Sequence, residues 1–156
     1  MKKYLFLPFL LLGLLLVFNC AGYQRIPPEE AQLQRIYELQ GMTKDVIFDR
    51  TLAWMAESFV SSKSVIQLKD KENGKIIGKG VARKTRMVEH TCRYTMIIDI
   101  KDNRMRITYK NLTSLVGPNA WRPVQYKYEI EPVKMKLMAL SDDLYYSLTK
   151  KQKKNW

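Results

Sequence analysis

Four consecutive residues, Glu89, His90, Thr91 and Cys92, bring a carboxylate, an imidazole and a thiol close together. In a β-strand, residues two apart point to the same face, so His90 and Cys92 would share one face. Such a pair could bind a soft metal ion or form a thiol nucleophile with its base. A zinc site uses three or four ligands, however, and His90 is the only histidine of the chain. We therefore predict no metal site here, and expect an exposed His90 at a hairpin end and a buried strand Cys92.

Two pairs of carboxylates could suggest acid–base catalysis. Glu129 and Glu131 are predicted to alternate out of a strand into solvent, and Asp142 and Asp143 to lie in the first turn of a helix. The sequence contains no phosphate-binding loop, nucleophile elbow or metalloprotease signature. We therefore predict no catalytic residues, no cofactor and a non-enzymatic role. An exported enzyme centred on Glu89, His90 and Cys92 is kept as the alternative.

Basic residues are the feature that favours a binding function. The chain has 27 Lys and Arg against 15 Asp and Glu, a formal net charge of +12. A positive surface near a membrane attracts anionic headgroups or acidic envelope polymers. Ordinary solubility is the alternative interpretation. The candidate contacts to an anionic surface, all on two predicted hairpins, are Arg83, Lys84, Arg86, Arg93, Arg104 and Arg106, with Lys101 and Lys110 beside them.

The first 19 residues have the pattern of an export signal. Lys2 and Lys3 precede an apolar stretch from Leu5 to Phe18, which is too short to span a bilayer. The stretch ends Leu16-Val17-Phe18-Asn19-Cys20, which resembles a bacterial lipoprotein signal, in which the Cys receives diacylglycerol and becomes the mature N-terminus. An ordinary signal peptide or an uncleaved anchor, with Cys20 incidental, is the alternative.

Lipidation of Cys20 would determine the location of the protein. Two or three acyl chains anchor a protein stably, so we expect attachment to the inner or outer membrane of a bacterial envelope, facing the periplasm or the cell surface. Cys92 would then be the only free thiol, which excludes an internal disulfide. Removal of residues 1–19 leaves 25 basic and 15 acidic side chains, so the positive charge belongs to the mature chain. We expect an envelope component as partner and no nucleic acid.

The mature chain divides into three predicted parts. Residues 20–32, with Pro27 and Pro28, read as a spacer from the lipidated Cys20. Residues 33–149 form one α+β domain, and residues 150–156 a basic tail. The domain begins with a strand from Leu33, and a helix from Lys44 to Phe59 follows, with Thr43 as N-cap.

Hydrophobic alternation then predicts two hairpins. The first turns at Asn73-Gly74, a pair that favours a type I′ turn. The second joins residues 93–101 to residues 104–111, with one face of the ribbon buried and the other basic. After a loop at residues 117–123, we predict an extra strand over Val124 to Ile130. Leucines at helical spacing predict a final helical segment, with Ser141 as an internal cap that would divide it in two.

This order of elements, together with four sequence segments, resembles a known family. The segments are Trp54-Met55-Ala56-Glu57-Ser58-Phe59, Ser64-Val65-Ile66-Gln67, Asp70 to Gly80 (DKENGKIIGKG) and Ile98 to Arg106 (IDIKDNRMR). It is similar to bacterial exported domains of unknown function that have a TATA-binding-protein-like fold. The resemblance implies a curved antiparallel sheet of about four to six strands, with helices packed on one face, in the order β-α-β-β-β-β-α. It implies no reaction, because a fold does not carry a function with it.

Overall fold

A computed structural model describes residues 24–27, 29–59, 65–84 and 90–150, with the side chains of residues 83, 84 and 90 left out of the description. Eight elements follow one another along the described chain. They are β1 (Leu33–Glu38), α1 (Lys44–Ser58), β2 (Ile66–Asp70), β3 (Lys75–Lys84), β4 (His90–Lys101), β5 (Arg104–Leu115), β6 (Trp121–Pro123) and α2 (Lys127–Thr149).

All six strands belong to one antiparallel sheet. Its order is β1-β5-β4-β3-β2, and the short β6 pairs with the C-terminal half of β5. Because β4 occupies the other edge of β5, strands β1 and β6 lie one after the other along the same edge. The predicted α+β class and the predicted antiparallel sheet of about four to six strands are confirmed.

Both helices cover the same face of the sheet. From α2, Ser141 Oγ lies 2.8 Å from the Tyr109 hydroxyl of β5, and Asp142 accepts a hydrogen bond of 2.7 Å from the Tyr37 hydroxyl of β1. Alternate residues of β4 and β5 fill the layer between the helices and the sheet, as the period-two pattern predicts. The buried strand residues are Tyr94, Met96, Ile98, Ile100, Met105, Ile107 and Tyr109.

Helix α1 begins where the sequence predicts. The Thr43 side chain accepts a hydrogen bond from the backbone N–H of Val46, and Asp102 accepts a bond of 2.6 Å from the backbone N–H of Lys44. These bonds satisfy two of the N–H groups that the first turn of a helix leaves unpaired. The buried face includes Trp54, a core residue as its position on the apolar stripe indicates.

The first hairpin forms as predicted, but the prediction of a type I′ turn is wrong. Asp70 pairs with Lys75, so four residues form the loop, and of the Asn73-Gly74 pair only Gly74 has a positive φ, of 61°. Asp70 closes the loop by accepting hydrogen bonds from the backbone N–H and the side-chain amide of Asn73. A Cβ at position 74 would lie 2.3 Å from the backbone oxygen of Ile100, so both the conformation and the space require glycine.

The predicted strand over Val124 to Ile130 is wrong, because helix α2 begins at Lys127. The division of the last helix at Ser141 is also wrong, since α2 runs without a break to Thr149. Ser141 is buried and its hydroxyl donates to the backbone oxygen of Leu137, so it works inside the helix and not as a cap. Burial at helical spacing decides the conformation over this stretch. Its buried positions include Ile130, Val133, Leu137, Leu144 and Leu148.

The described part of the predicted spacer contacts the domain. Arg25 pairs with Tyr126 in an isolated β-bridge, and the backbone N–H of Ile26 donates to Gln125 O at 2.9 Å. Ala31 is buried against the core. Residues 24–26 are thus bonded to the start of α2 in the described structure.

Candidate functional site

The structure places only some of the candidate residues. Cys20, Arg86, Glu89 and the predicted signal lie outside the described residues, as do residues 151–156 of the predicted tail. Arg83 and Lys84 lie in β3, where their backbones pair with Thr91 and His90. The described residues contain no group of three or more His, Cys, Asp or Glu that could hold a metal ion.

Cys92 is a buried strand residue. Only 1% of its surface is exposed, and its Sγ donates to the backbone oxygen of Arg93 at 3.3 Å. Burial raises the pKa of the thiol to about 11, so the thiolate that a nucleophile or a metal ligand requires is disfavoured near neutral pH.

We predict slow alkylation of Cys92 in the folded chain. In a chain that starts at residue 21, iodoacetamide at pH 8.5 should modify Cys92 at least about tenfold more slowly than after denaturation, because the native thiol is both buried and protonated. Since the pKa is raised in the folded state, the thiol's contribution to stability should persist below about pH 9 and decline toward pH 11. Intact-mass spectrometry measures the rate, and equal rates in the two states would show that Cys92 is accessible.

Three of the four candidate carboxylates have structural partners. Asp142 accepts from Tyr37 and from Arg35, and Asp143 accepts from the indole N–H of Trp54 at 2.8 Å. Both lie in the second half of α2, so their predicted place in a first helical turn is wrong. They instead join α2 to β1 and α1.

Glu129 is buried, which corrects its predicted exposure on a strand. It is 5% exposed and accepts hydrogen bonds from the guanidinium of Arg122 and from the backbone N–H groups of Gln125 and Tyr126. Its neighbour Glu131 is exposed. The position of Glu129 at the third residue of α2 explains the difference, because a carboxylate there reaches back to the unpaired N–H groups at the start of the helix.

The opposite face of the sheet has no helix packed against it within the described residues, and we call it the uncovered face. Strand register determines which residues share it, since paired residues lie on the same face. Among the side chains that the structure describes, its charged members from β1 to β5 are Glu38, Asp70, Lys75, Lys79, Arg93, Asp99, Lys101, Arg104, Arg106 and Lys110. Seven of these described side chains are basic and three acidic, and those of the second hairpin lie on the face of the ribbon that is predicted to be basic.

An apolar row lies across three of the strands on the uncovered face. Leu68, Ile77 and Ile97 lie directly opposite one another on β2, β3 and β4. Leu68 is 42% exposed, and Ile36, on β1 beside Arg106, is 51% exposed. An aliphatic row between charged flanks resembles the centre and rim of a protein–protein interface.

The cations of this face are of two kinds. Arg106 donates to Asp99 at 2.9 Å, and Arg104 lies 3.9 Å from Glu38, so both have an acidic neighbour. Lys79, Lys101 and Lys110 make no ion pair with any residue that the structure describes. These three lysines therefore present uncompensated charge to solvent.

Arg93 has an aromatic partner. Its guanidinium carbon lies 3.6 Å from the ring centroid of Trp121, a cation–π contact between β4 and β6. Of the hairpin arginines that were candidate contacts to an anionic surface, the three whose side chains are described, Arg93, Arg104 and Arg106, thus have partners in the chain.

The apolar row and Lys79 are the features that sequence reasoning missed. Alternation in Lys75, Ile77, Lys79 and Val81 contains the signal, because these residues must share the face opposite the buried Ile76. The match of Ile77 to Leu68 and Ile97 depends on register, which the sequence of one strand does not contain.

No described helix, including the 23-residue α2, is both long and apolar enough to cross a bilayer. A search of curated proteins finds none that matches the chain.

Solved structures that share the fold include the following two. A TBP-like protein from Parabacteroides distasonis ATCC 8503 superposes with a TM-score of 0.64 over 85% of this chain and 99% of its own, at 14% identity. A DUF4468 family protein from Bacteroides ovatus ATCC 8483 gives a TM-score of 0.58 over 80% of this chain and 89% of its own, at 12% identity. At these identities the likeness concerns the fold alone. The family model described as "Domain of unknown function (DUF4468) with TBP-like fold" matches residues 34–114, just over half of the chain, and the chain therefore belongs to this family.

Proposed function

We propose that the protein is a bacterial cell-envelope lipoprotein with a non-enzymatic binding role. In this proposal Cys20 carries the lipid anchor, and the uncovered face binds an acidic surface of another envelope protein. The single observation that carries the binding role is the apolar row of exposed Leu68 and half-buried Ile77 and Ile97, flanked by lysines on the face that no described helix covers.

Charge and burial favour a protein partner over an anionic lipid or polysaccharide. Burial of an aliphatic row contributes about 25 cal/mol for each Å² removed from water, which requires an apolar surface on the partner. A polysaccharide offers little such surface, whereas a protein offers apolar side chains beside carboxylates. Lys79 and Lys101 have no described ion pair and are available to acidic side chains, while Arg106 is engaged with Asp99.

The buried state of Cys92 argues against the enzymatic alternative. A nucleophile needs a reachable thiolate, but Cys92 is 1% exposed and its pKa is raised by burial. Three carboxylates of α2, those of Glu129, Asp142 and Asp143, are occupied in bonds that hold the fold.

A photo-crosslinking residue on each side of the protein tests the proposed interface. We expect a photo-reactive phenylalanine analogue at Ile77, on the uncovered face, to give a protein adduct in native envelopes. The same analogue at Met135, a 69% exposed residue on the outer side of α2, should give none. Adding Lys79→Glu and Lys101→Glu should lower the Ile77 adduct at least about tenfold, because like charges then face the acidic partner.

The matched control has the same change of net charge on the other side of the molecule. Lys127→Glu with Lys134→Glu, both exposed on α2, should leave the Ile77 adduct unchanged within about twofold. Equal loss with both double variants would mean that net charge alone drives association. Adducts at Ile77 with lipid instead of protein, and salt-sensitive binding to anionic vesicles, would overturn the protein partner in favour of the lipid alternative.

A further inference from the structure

The outer edge of β5 is interrupted between its two partners. β1 pairs with β5 as far as Tyr109, opposite Leu33, and β6 begins to pair at Thr113, opposite Pro123. Residues 110–112 lie between them, where the register of β5 with β4 also shifts. Asn111 there has a φ of 53°, in the left-handed region that non-glycine residues seldom adopt. Bulges of this kind redirect side chains and often lie next to functional sites.

A cavity of about 660 Å³ opens at this interruption. Its size is within the range of about 300–1,000 Å³ that is typical of small-molecule sites. Ala31, Leu112 and Val124 form an apolar floor, and each is less than a tenth exposed. The backbone bond from Val124 N–H to Leu112 O, of 3.0 Å, fixes two of these three residues relative to each other.

Two cations lie at the rim of the cavity. Arg25 and Lys110 are exposed and line it, and none of the described lining residues is acidic. The β-bridge to Tyr126 holds the backbone of Arg25 in place, and Gln125 adds a side-chain amide. The cavity therefore combines an apolar floor with a positive rim.

We propose that this cavity binds a small amphiphilic anion. A compact apolar body would cover the floor formed by Ala31, Leu112 and Val124, and a carboxylate, sulfonate or phosphate group would lie between Arg25 and Lys110. The planar guanidinium of Arg25 suits such oxygens because it offers two parallel donors, and Lys110 adds a second charge. Lys110 belongs both to the uncovered face and to the rim of this cavity, but the ligand proposed for the cavity is a different class of molecule from the protein partner.

Fluorescence titration with anilinonaphthalene sulfonate tests this site. This dye has an aromatic body and one sulfonate, and N-phenyl-1-naphthylamine is nearly the same body without the charge. A chain that starts at residue 21 is suitable, because the described core lies between residues 26 and 148. We expect saturable binding of the sulfonate with at least about tenfold higher affinity than the neutral dye. In NMR spectra of the same complex, the largest chemical-shift changes of backbone amides should lie at residues 25–26, 110–113 and 124–125.

Paired variants separate the cavity from general surface charge. Arg25→Gln with Lys110→Gln should weaken the sulfonate at least about tenfold, whereas Lys79→Gln with Lys101→Gln, which also removes two charges, should change its affinity less than about twofold. Equal weakening by both pairs, binding without saturation, or shifts spread over other residues would overturn the proposal. The NMR chemical-shift changes are measured on the unsubstituted chain, so they locate the binding site even where a variant folds poorly.

Discussion

Replacing Cys20 with serine is expected to abolish lipid attachment completely. Formation of the thioether requires the sulfur of Cys20, and a serine hydroxyl is a far weaker nucleophile. The Cys20→Ser chain should therefore incorporate no labelled fatty acid and should keep residues 1–19, because cleavage of a lipoprotein signal follows lipidation. Intact-mass spectrometry of the protein purified from membranes measures both changes at once.

The second cysteine provides the matched control. Cys92→Ala removes the other thiol of the chain from a buried strand position and should leave the lipid and the processed N-terminus unchanged. If the masses of Cys20→Ser and the original chain differ by no more than the substitution itself, and their labels are equal, Cys20 is incidental. The N-terminal segment would then be an ordinary signal peptide or an uncleaved anchor.

Lipidation also bears on the proposed protein interface. A tethered protein meets its partner at the surface of one membrane, where the effective concentration is high and a modest affinity suffices. Two or three acyl chains would keep it there, since each buried methylene contributes about 0.8 kcal/mol. A positive face then increases the rate of encounter with acidic partners.

Local patterns predicted the sheet and α1 because burial repeats there with the period of the element. Met96, Ile98 and Ile100 alternate with exposed or half-buried residues, and Thr43 has the side chain that an N-cap requires. The sequence segments that resemble the family lie in the same region, and the family model matches residues 34–114.

The errors lie where distant contacts decide the structure. The stretch Val124 to Ile130 contains β-formers, but the burial of Ile130 and the bonds of Glu129 to Arg122 favour a helix. The apolar row and the cavity both depend on which strands are neighbours, and β1 and β6 share an edge of β5 although about 80 residues separate them in the sequence. Patterns within one strand contain no information of that kind.

Glu129→Gln is expected to destabilise the fold by about 2–3 kcal/mol. The substitution leaves the Arg122 guanidinium without its anion, and it weakens the two backbone N–H bonds to Glu129 Oε2 because a neutral amide oxygen is a poorer acceptor than a carboxylate oxygen. The cost is at the lower end for a buried ion pair because the Arg122 side chain is 32% exposed and can regain water. A chain of this size should lose about 8 °C in melting temperature, measured by circular dichroism.

Glu131→Gln is the matched control for charge. Glu131 lies two residues along α2 and is exposed, so its substitution should change stability by less than about 0.5 kcal/mol. The double variant Glu129→Gln with Arg122→Gln should recover part of the loss, because it removes the unpaired cation. Equal melting temperatures for Glu129→Gln and Glu131→Gln would show that the buried pair contributes nothing.

The same pair connects the two proposed sites. Arg122 lies in β6 between Trp121, which stacks on Arg93 of the uncovered face, and Pro123, which lines the cavity at the edge of β5. Loss of the Glu129 carboxylate should therefore loosen β6 from β5 before it unfolds the long strands. Amide exchange should accelerate first at Val116 and Val124, whose N–H groups bond across this region, and later at Ile98 and Ile107 in the centre of the sheet. Acceleration at all four positions together would mean that the pair stabilises the domain as a whole and holds neither site in particular.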